Sequence, residues 1–176
     1  KKLYSKNDNM QEITGLTLYT GSFGKRGCTC DCESCSQEKY GKQHGFYQGT
    51  MSQVEKILSI APNIQRAILL GNPDISVDAK FVNQVAKFLI KKRVRVRFST
   101  SGYNSIETAQ NVLADLDPKY IDYYSFSIDS LKKKNEIILK GRIIPLEEIA
   151  QTIRFCNDKG VQVKIQPTFM IKNTRK

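Results

Sequence analysis

The sequence predicts an α/β fold: a partial (β/α) TIM-like barrel of about five to six parallel strands with helices outside. Three observations predict it. Short strand-like runs alternate with longer runs of helical periodicity through most of the chain. Such alternation implies parallel strands joined by right-handed crossovers. The strands themselves alternate apolar and polar residues, as expected when one face packs under helices and the other stays polar. An open doubly wound sheet fits the same order of elements, and a sheet with one face open to water fits the same residue pattern.

Leu16-Thr17-Leu18-Tyr19-Thr20 reads as the first strand. Residues 51–61 predict a helix with Val54, Ile57, Leu58 and Ala61 on one face; Thr50 or Ser52 can cap it and Pro62 stops it. Residues 67–70 form the second strand. Residues 77–92 form a helix with Phe81, Val82, Val85, Phe88 and Leu89 inward, and its cationic end, Lys91-Lys92-Arg93, suits a helix C-terminus. Residues 94–99 are the third strand. Ser105 is expected to cap a helix carrying Ala109, Val112, Leu113 and Leu116 on its apolar face. Residues 123–128 are the fourth strand. Pro145 suits a first helical position, with Leu146, Ile149, Ala150 and Ile153 following at helical spacing and Gly160 ending the helix. Residues 161–168 complete the set as a fifth strand.

The polar members of the strands are specific. Arg95, Arg97 and Ser99 alternate with Val94, Val96 and Phe98; Ser125, Ser127 and Asp129 alternate with Tyr124, Phe126 and Ile128; Gln162, Lys164 and Gln166 alternate with Val161, Val163 and Ile165. A closed barrel filled by Val and Leu would not show this pattern; a wide or incomplete barrel with a ligand-filled lumen would. In that lumen Arg95, Arg97 and Lys164 would form a basic wall suited to a carboxylate or phosphate; as solvent-facing charges they would carry no role.

The 176 residues, 40% of them apolar, are enough for one domain with a sizeable core. No apolar run is long enough to cross a membrane, so no membrane partner is expected, and no signal-peptide pattern opens the chain. The first residue is Lys1, so the natural N-terminus is expected upstream. The net charge of +11, from 28 basic and 17 acidic side chains, would suit nucleic acid, acidic lipid or an anionic substrate. The basic residues are spread along the chain without interleaved aromatics, which makes a lysine-rich surface the plain reading.

Four of the five cysteines lie in Cys28-Thr29-Cys30-Asp31-Cys32-Glu33-Ser34-Cys35, and the fifth, Cys156, is isolated on a predicted core face. A disulfide framework spreads its cysteines more widely, so a metal site in a reducing cytoplasm fits better. The cluster follows the first strand across Gly21-Ser22-Phe23-Gly24, at the strand's C-terminal end, where α/β folds bind ligands. Cys28, Cys32 and Cys35 give the spacing C-x3-C-x2-C. Three thiolates can hold three irons of a [4Fe–4S] cluster and leave the fourth open to a small molecule. Zinc is the competing occupant, but structural zinc sites use two separated ligand pairs. Cys30 is a candidate fourth ligand only for a simple electron-transfer cluster, and its spacing would strain one cubane. His44, the one histidine, sits in a polar, glycine-rich stretch and reads as solvated.

C-x3-C-x2-C after the first strand of a βα barrel resembles the radical S-adenosylmethionine (SAM) enzyme superfamily, and the resemblance spans roughly residues 16–173. Leu70-Gly71-Asn72-Pro73 stands where that family has Gly-Gly-Glu-Pro, with Asn72 replacing a carboxylate by an amide that can still accept from an ammonium. Thr100-Ser101-Gly102 resembles its Thr-Asn-Gly, and Ser127-Ile128-Asp129-Ser130 its Ser-Leu-Asp pattern. Lys140 stands where members that mature peptides and cofactors often have Arg, and Ser34 where an aromatic is common.

The resemblance implies a radical SAM core fold and an iron–sulfur enzyme of oxidoreductase or transferase type. It implies a [4Fe–4S] cluster on Cys28, Cys32 and Cys35, and SAM held by Gly71, Asn72, Pro73, Ser99, Ser101, Ser127 and Asp129. The reduced cluster would cleave SAM to methionine and a 5′-deoxyadenosyl radical that abstracts hydrogen from a substrate. The electron would come from an external one-electron reductant such as flavodoxin or ferredoxin. The spacing from Lys140-Gly141 through Gly160 to Asn173 resembles members that mature peptides and cofactors; a peptide, small molecule or RNA substrate stays open, as does a non-catalytic zinc or iron–sulfur module with a basic partner-binding surface. No further catalytic residue is assigned. The expected organisation is one core domain over 1–176, incomplete at both ends, with 1–15 as a lead-in and 16–173 as the barrel.

Overall fold

The computed structural model describes residues 13–20, 50–71, 74–100, 102, 105–128, 130–133, 136–139 and 142–167. In chain order the elements are β1 (Gly15–Thr20), α1 (Met51–Ile60), β2 (Arg66–Gly71), α2 (Ala79–Lys91), β3 (Arg95–Thr100), α3 (Ser105–Val112), a 3₁₀ turn (Pro118–Tyr120), β4 (Ile121–Ile128), β5 (Ser130–Lys133), β6 (Glu136–Leu139), β7 (Arg142–Pro145), α4 (Leu146–Asp158) and β8 (Val163–Pro167).

Five strands form one sheet in the order β1-β2-β3-β4-β8, and every neighbouring pair is parallel. This order decides between the two architectures that the sequence allows. A doubly wound sheet reverses direction part-way, placing later strands beyond the first. Here the chain advances one way without reversal, as in a βα barrel. The fold is therefore an α/β partial barrel of five parallel strands with helices packed on one side.

The helices begin and end for local reasons. Thr50 opens α1 with a capping box: its side chain accepts from the Gln53 amide while the Gln53 side chain accepts from the Thr50 amide. Asp78 caps α2 by accepting from the Phe81 amide at 3.2 Å. Helix α2 ends in a Schellman pair, Arg93 N–H to the Ile90 carbonyl and Val94 N–H to the Leu89 carbonyl, which puts Arg93 at φ +63°. Helix α4 closes the same way, through Gly160 at φ +72°.

Two boundaries differ from the sequence reading. Ser105 is the first residue of α3 rather than its cap. Its hydroxyl is buried and accepts from the Thr152 hydroxyl at 2.8 Å, while its amide donates to Glu148 at 3.2 Å, so a carboxylate from α4 does the capping. Pro145 ends β7 and is the N-cap of α4, one position earlier than expected.

The segment between β4 and α4 was not anticipated as strand. It forms a second, antiparallel sheet ordered β5-β6-β7, with Leu139 opposite Arg142. The two β-branched runs flanking Lys140-Gly141 are the signal for it in the sequence.

The core lies between the five-stranded sheet and the helices. Leu69, Val82, Val85, Leu89, Val96, Phe98, Tyr124, Phe126 and Ile149 are fully or almost fully buried there. Cys156 is buried among them, in keeping with its reading as a core residue. No helix among the described residues is long and apolar enough to cross a membrane.

Candidate active-site rim at the strand ends

Because the five strands run in one direction, their C-terminal ends share one edge of the sheet. Thr20 at the end of β1 pairs with Gly71 at the end of β2. Ser99 of β3 lies between Leu70 of β2 and Ser125 of β4, and Ser127 of β4 lies beside Gln166 of β8. Ser99 and Ser127 are half-buried on the face away from the helices. The fold therefore brings Gly71, Ser99 and Ser127 to neighbouring strand ends, as the sequence motifs require. Asn72, Pro73, Ser101, Asp129 and the cluster cysteines Cys28, Cys32 and Cys35 lie outside the described residues.

Beneath this rim is a polar tie that the sequence reading missed. Asp74 is buried, and its carboxylate accepts from the Thr100 hydroxyl at 3.0 and 3.2 Å and from the Ser76 amide at 3.0 Å. The Thr100 hydroxyl in turn accepts from the Gly102 amide at 3.1 Å. Gly102 has φ +86°, a conformation glycine adopts without a Cβ penalty. This chain joins the segment after β2 to the end of β3, the two places whose motifs resemble the family patterns. Its sequence signal was present: Asp74 directly follows Gly71-Asn72-Pro73, and Thr100 opens Thr100-Ser101-Gly102.

Farther into the core, burial pushes the Tyr124 phenol well above its ordinary range, and the Asp74 carboxylate and Cys156 act in the same direction. Burial likewise pushes the Cys156 thiol up to about 12, which suits an inert core thiol.

The polar face below the rim is layered by register. Val96 pairs with Ile121 but Arg97 pairs with Tyr123, so β4 has one extra residue, Asp122, at this point. Asp122 lies at the N-terminal end of β4 and accepts from Arg95 at 2.5 Å, with Arg66 3.9 Å away. Arg95 also donates to the Lys119 carbonyl at 2.8 Å. Arg95 is thus neutralised at the end of the sheet opposite the rim, which removes it from the expected basic wall. Arg97 and Lys164 remain. Arg97 donates to the Tyr123 hydroxyl at 2.8 Å with its guanidinium 5.7 Å from the ring centroid, and the Lys164 ammonium is 5.1 Å from the same centroid.

A cavity of about 470 Å³ opens elsewhere, between α1 and α2, lined by Leu58, Pro62, Phe88 and Lys92. It includes Ile64 and Val94, which precede β2 and β3, so it sits at the strand ends opposite the rim.

The Radical SAM superfamily model matches residues 24–176. The chain belongs to the radical SAM superfamily. No curated protein is similar enough to name as a relative. Radical SAM proteins are enzymes whose cofactors are, in general, a [4Fe–4S] cluster and SAM. The residues of this chain fit those groups. The half-buried Ser99 and Ser127 lie on the sheet face away from the helices, the Cβ-less Gly71 ends β2 on the neighbouring strand, and a set of cysteines follows β1 in the sequence.

Proposed function

We propose that this radical SAM protein cleaves SAM reductively and couples the cleavage to hydrogen abstraction from a substrate. The observation that carries the reading is the C-x3-C-x2-C set directly following β1, whose C-terminal end pairs with Gly71 at the rim. Cys28, Cys32 and Cys35 as thiolates hold three irons, and the absence of a fourth ligand from this set leaves one iron for SAM. When bound, the cluster and SAM supply the one-electron cleavage of the sulfonium and the hydrogen abstraction that follows.

The chain's own residues bind and orient. Gly71 lets SAM approach the backbone of β2 closely. The Asn72 amide oxygen accepts from the SAM ammonium, where an ionised carboxylate would bind more strongly. Ser99, Ser101, Ser127 and Asp129 offer hydrogen bonds to the ribose and carboxylate, and the Pro73 ring restricts the backbone next to Asn72. Asp74 and Thr100 act through these segments by tying them together. An external carrier such as a flavodoxin or ferredoxin provides the electron. The spacing from Lys140-Gly141 to Asn173 favours peptide or cofactor maturation as the setting.

Anaerobic reconstitution tests the reading. It should give about four irons and four sulfides per chain, and adding SAM should change the EPR spectrum of the reduced cluster. An unchanged spectrum would remove the open iron. A colourless protein holding zinc would make the chain a structural metal module instead.

A further inference from the structure

We infer that the polar face below the rim holds an anion-recognition site for the substrate, in which Arg97 and Lys164, both set against Tyr123, receive a carboxylate or phosphate group. The inference rests on the reading of the rim as the SAM site, because that reading makes the space below it substrate space.

Charge is the first ground. The five strands of the sheet carry four basic side chains, Arg66, Arg95, Arg97 and Lys164, and one acidic one, Asp122. Asp122 is engaged with Arg95 and Arg66 at the far end. Arg97 and Lys164 have no ion pair among the described residues. A bound oxyanion would offset the charge of these two.

Geometry is the second. Arg97 is half-buried, and its hydrogen bond to Tyr123 uses one of five N–H donors and fixes the plane of the guanidinium. The remaining edge suits two-point recognition of a carboxylate or phosphate. Lys164 comes from β8 to the same ring, although its register partner is Ser125, two residues nearer the rim. Two cations therefore converge on one aromatic ring. Each is attracted by the ring, and their mutual repulsion is relieved by an anion between them.

Position is the third. Arg97 precedes Ser99 by two residues, which at about 3.3 Å per residue sets it roughly 7 Å below the rim. A substrate anchored there by its anionic end would extend toward the strand ends. A guanidinium and an ammonium against one ring suit a small charged group.

Isothermal titration of the full chain, before and after anaerobic reconstitution, tests this with inorganic phosphate and with succinate. One of the two should bind saturably at one site per chain, and which one binds identifies the group as phosphate or carboxylate. Arg97→Gln and Lys164→Gln should each weaken that binding about tenfold or more. Arg154→Gln, which removes a surface partner of Glu147 on α4, should leave it unchanged. Circular dichroism melting checks that the variants fold, and the exposed Lys164 provides a variant with little risk to the core. The site is overturned if neither anion binds saturably, if both variants bind like the parent, or if SAM displaces the probe, which would assign the cations to SAM itself. Cleavage of SAM by the reconstituted chain without anion binding would sink this site and leave the rim reading intact. Anion binding with the expected losses in a chain that holds no cluster would do the reverse.

Discussion

On one face of the five-stranded sheet, Leu69, Val96, Phe98, Tyr124 and Phe126 are sealed beneath the helices; on the other, Arg97, Ser99, Tyr123 and Ser127 stay half-buried and Lys164 exposed. The same strands supply both sets, one residue apart. Burial of large apolar side chains, each contributing about 1.5–3 kcal/mol, concentrates stability on the helix side. The open side gains little from burial, so it can hold hydroxyls and cations that a packed barrel interior would exclude. The one-residue register shift at Asp122 serves this division: it frees a carboxylate for Arg95 and aligns Tyr123 with Arg97.

The sharpest way to break this comparison is to alter neighbours on opposite faces. Phe98→Ala should destabilise by about 3–5 kcal/mol, while Ser99→Ala should stay within about 0.5 kcal/mol yet weaken SAM binding. Urea denaturation and SAM titration of both variants measure the pair. Equal stability losses would show that the open face is packed after all.

Alkaline titration probes the helix side alone. The Cys156 thiol, ordinarily near 9.0, is held at about 12, and the Tyr124 phenol is also raised. The unfolded chain loses these protons first, so the stability they confer is full below about pH 9 and falls as pH rises toward 12. The urea midpoint should decline over that window, and less steeply in Cys156→Ala.

A smaller effect tests how apolar that face is. The Tyr124 hydroxyl is buried without a hydrogen-bond partner among the described residues. Tyr124→Phe should therefore raise stability at pH 7 by about 1 kcal/mol, measured as a higher urea midpoint. A loss of stability would mean that the hydroxyl is satisfied.

The smallest effect lies on neither face. Arg93 occupies the left-handed region between α2 and β3, and Arg93→Gly should stabilise by about 0.5–1 kcal/mol in thermal melts without changing SAM or anion binding.

Much of the fold was legible because its signals are local. The helical spacing of Val82, Val85 and Leu89 and the alternation of Val96 and Phe98 with Arg97 and Ser99 follow from backbone geometry alone, and both match the observed burial. The candidate site is legible only as motifs, and of these residues the structure gives the positions of Gly71, Ser99 and Ser127 at neighbouring strand ends. Asp74 is not legible in the sequence, because a carboxylate following Asn-Pro reads as solvated until its hydrogen bonds to Thr100 and Ser76 are known. The strands β5, β6 and β7 are not legible in the sequence, because four-residue runs carry too short a period to separate strand from loop.

By itself the sequence determined which segments are strand or helix, which side of each is apolar, and which cysteine spacing and strand-end motifs mark the radical SAM superfamily. These depend on residues within a few positions of one another. Only the tertiary structure decided that the strands run in the order β1-β2-β3-β4-β8 without reversal, that Asp122 neutralises Arg95, and that Arg97 and Lys164 meet on Tyr123. Those outcomes bring together residues 26 to 67 positions apart, and they depend on strand pairing and register, which no local pattern encodes.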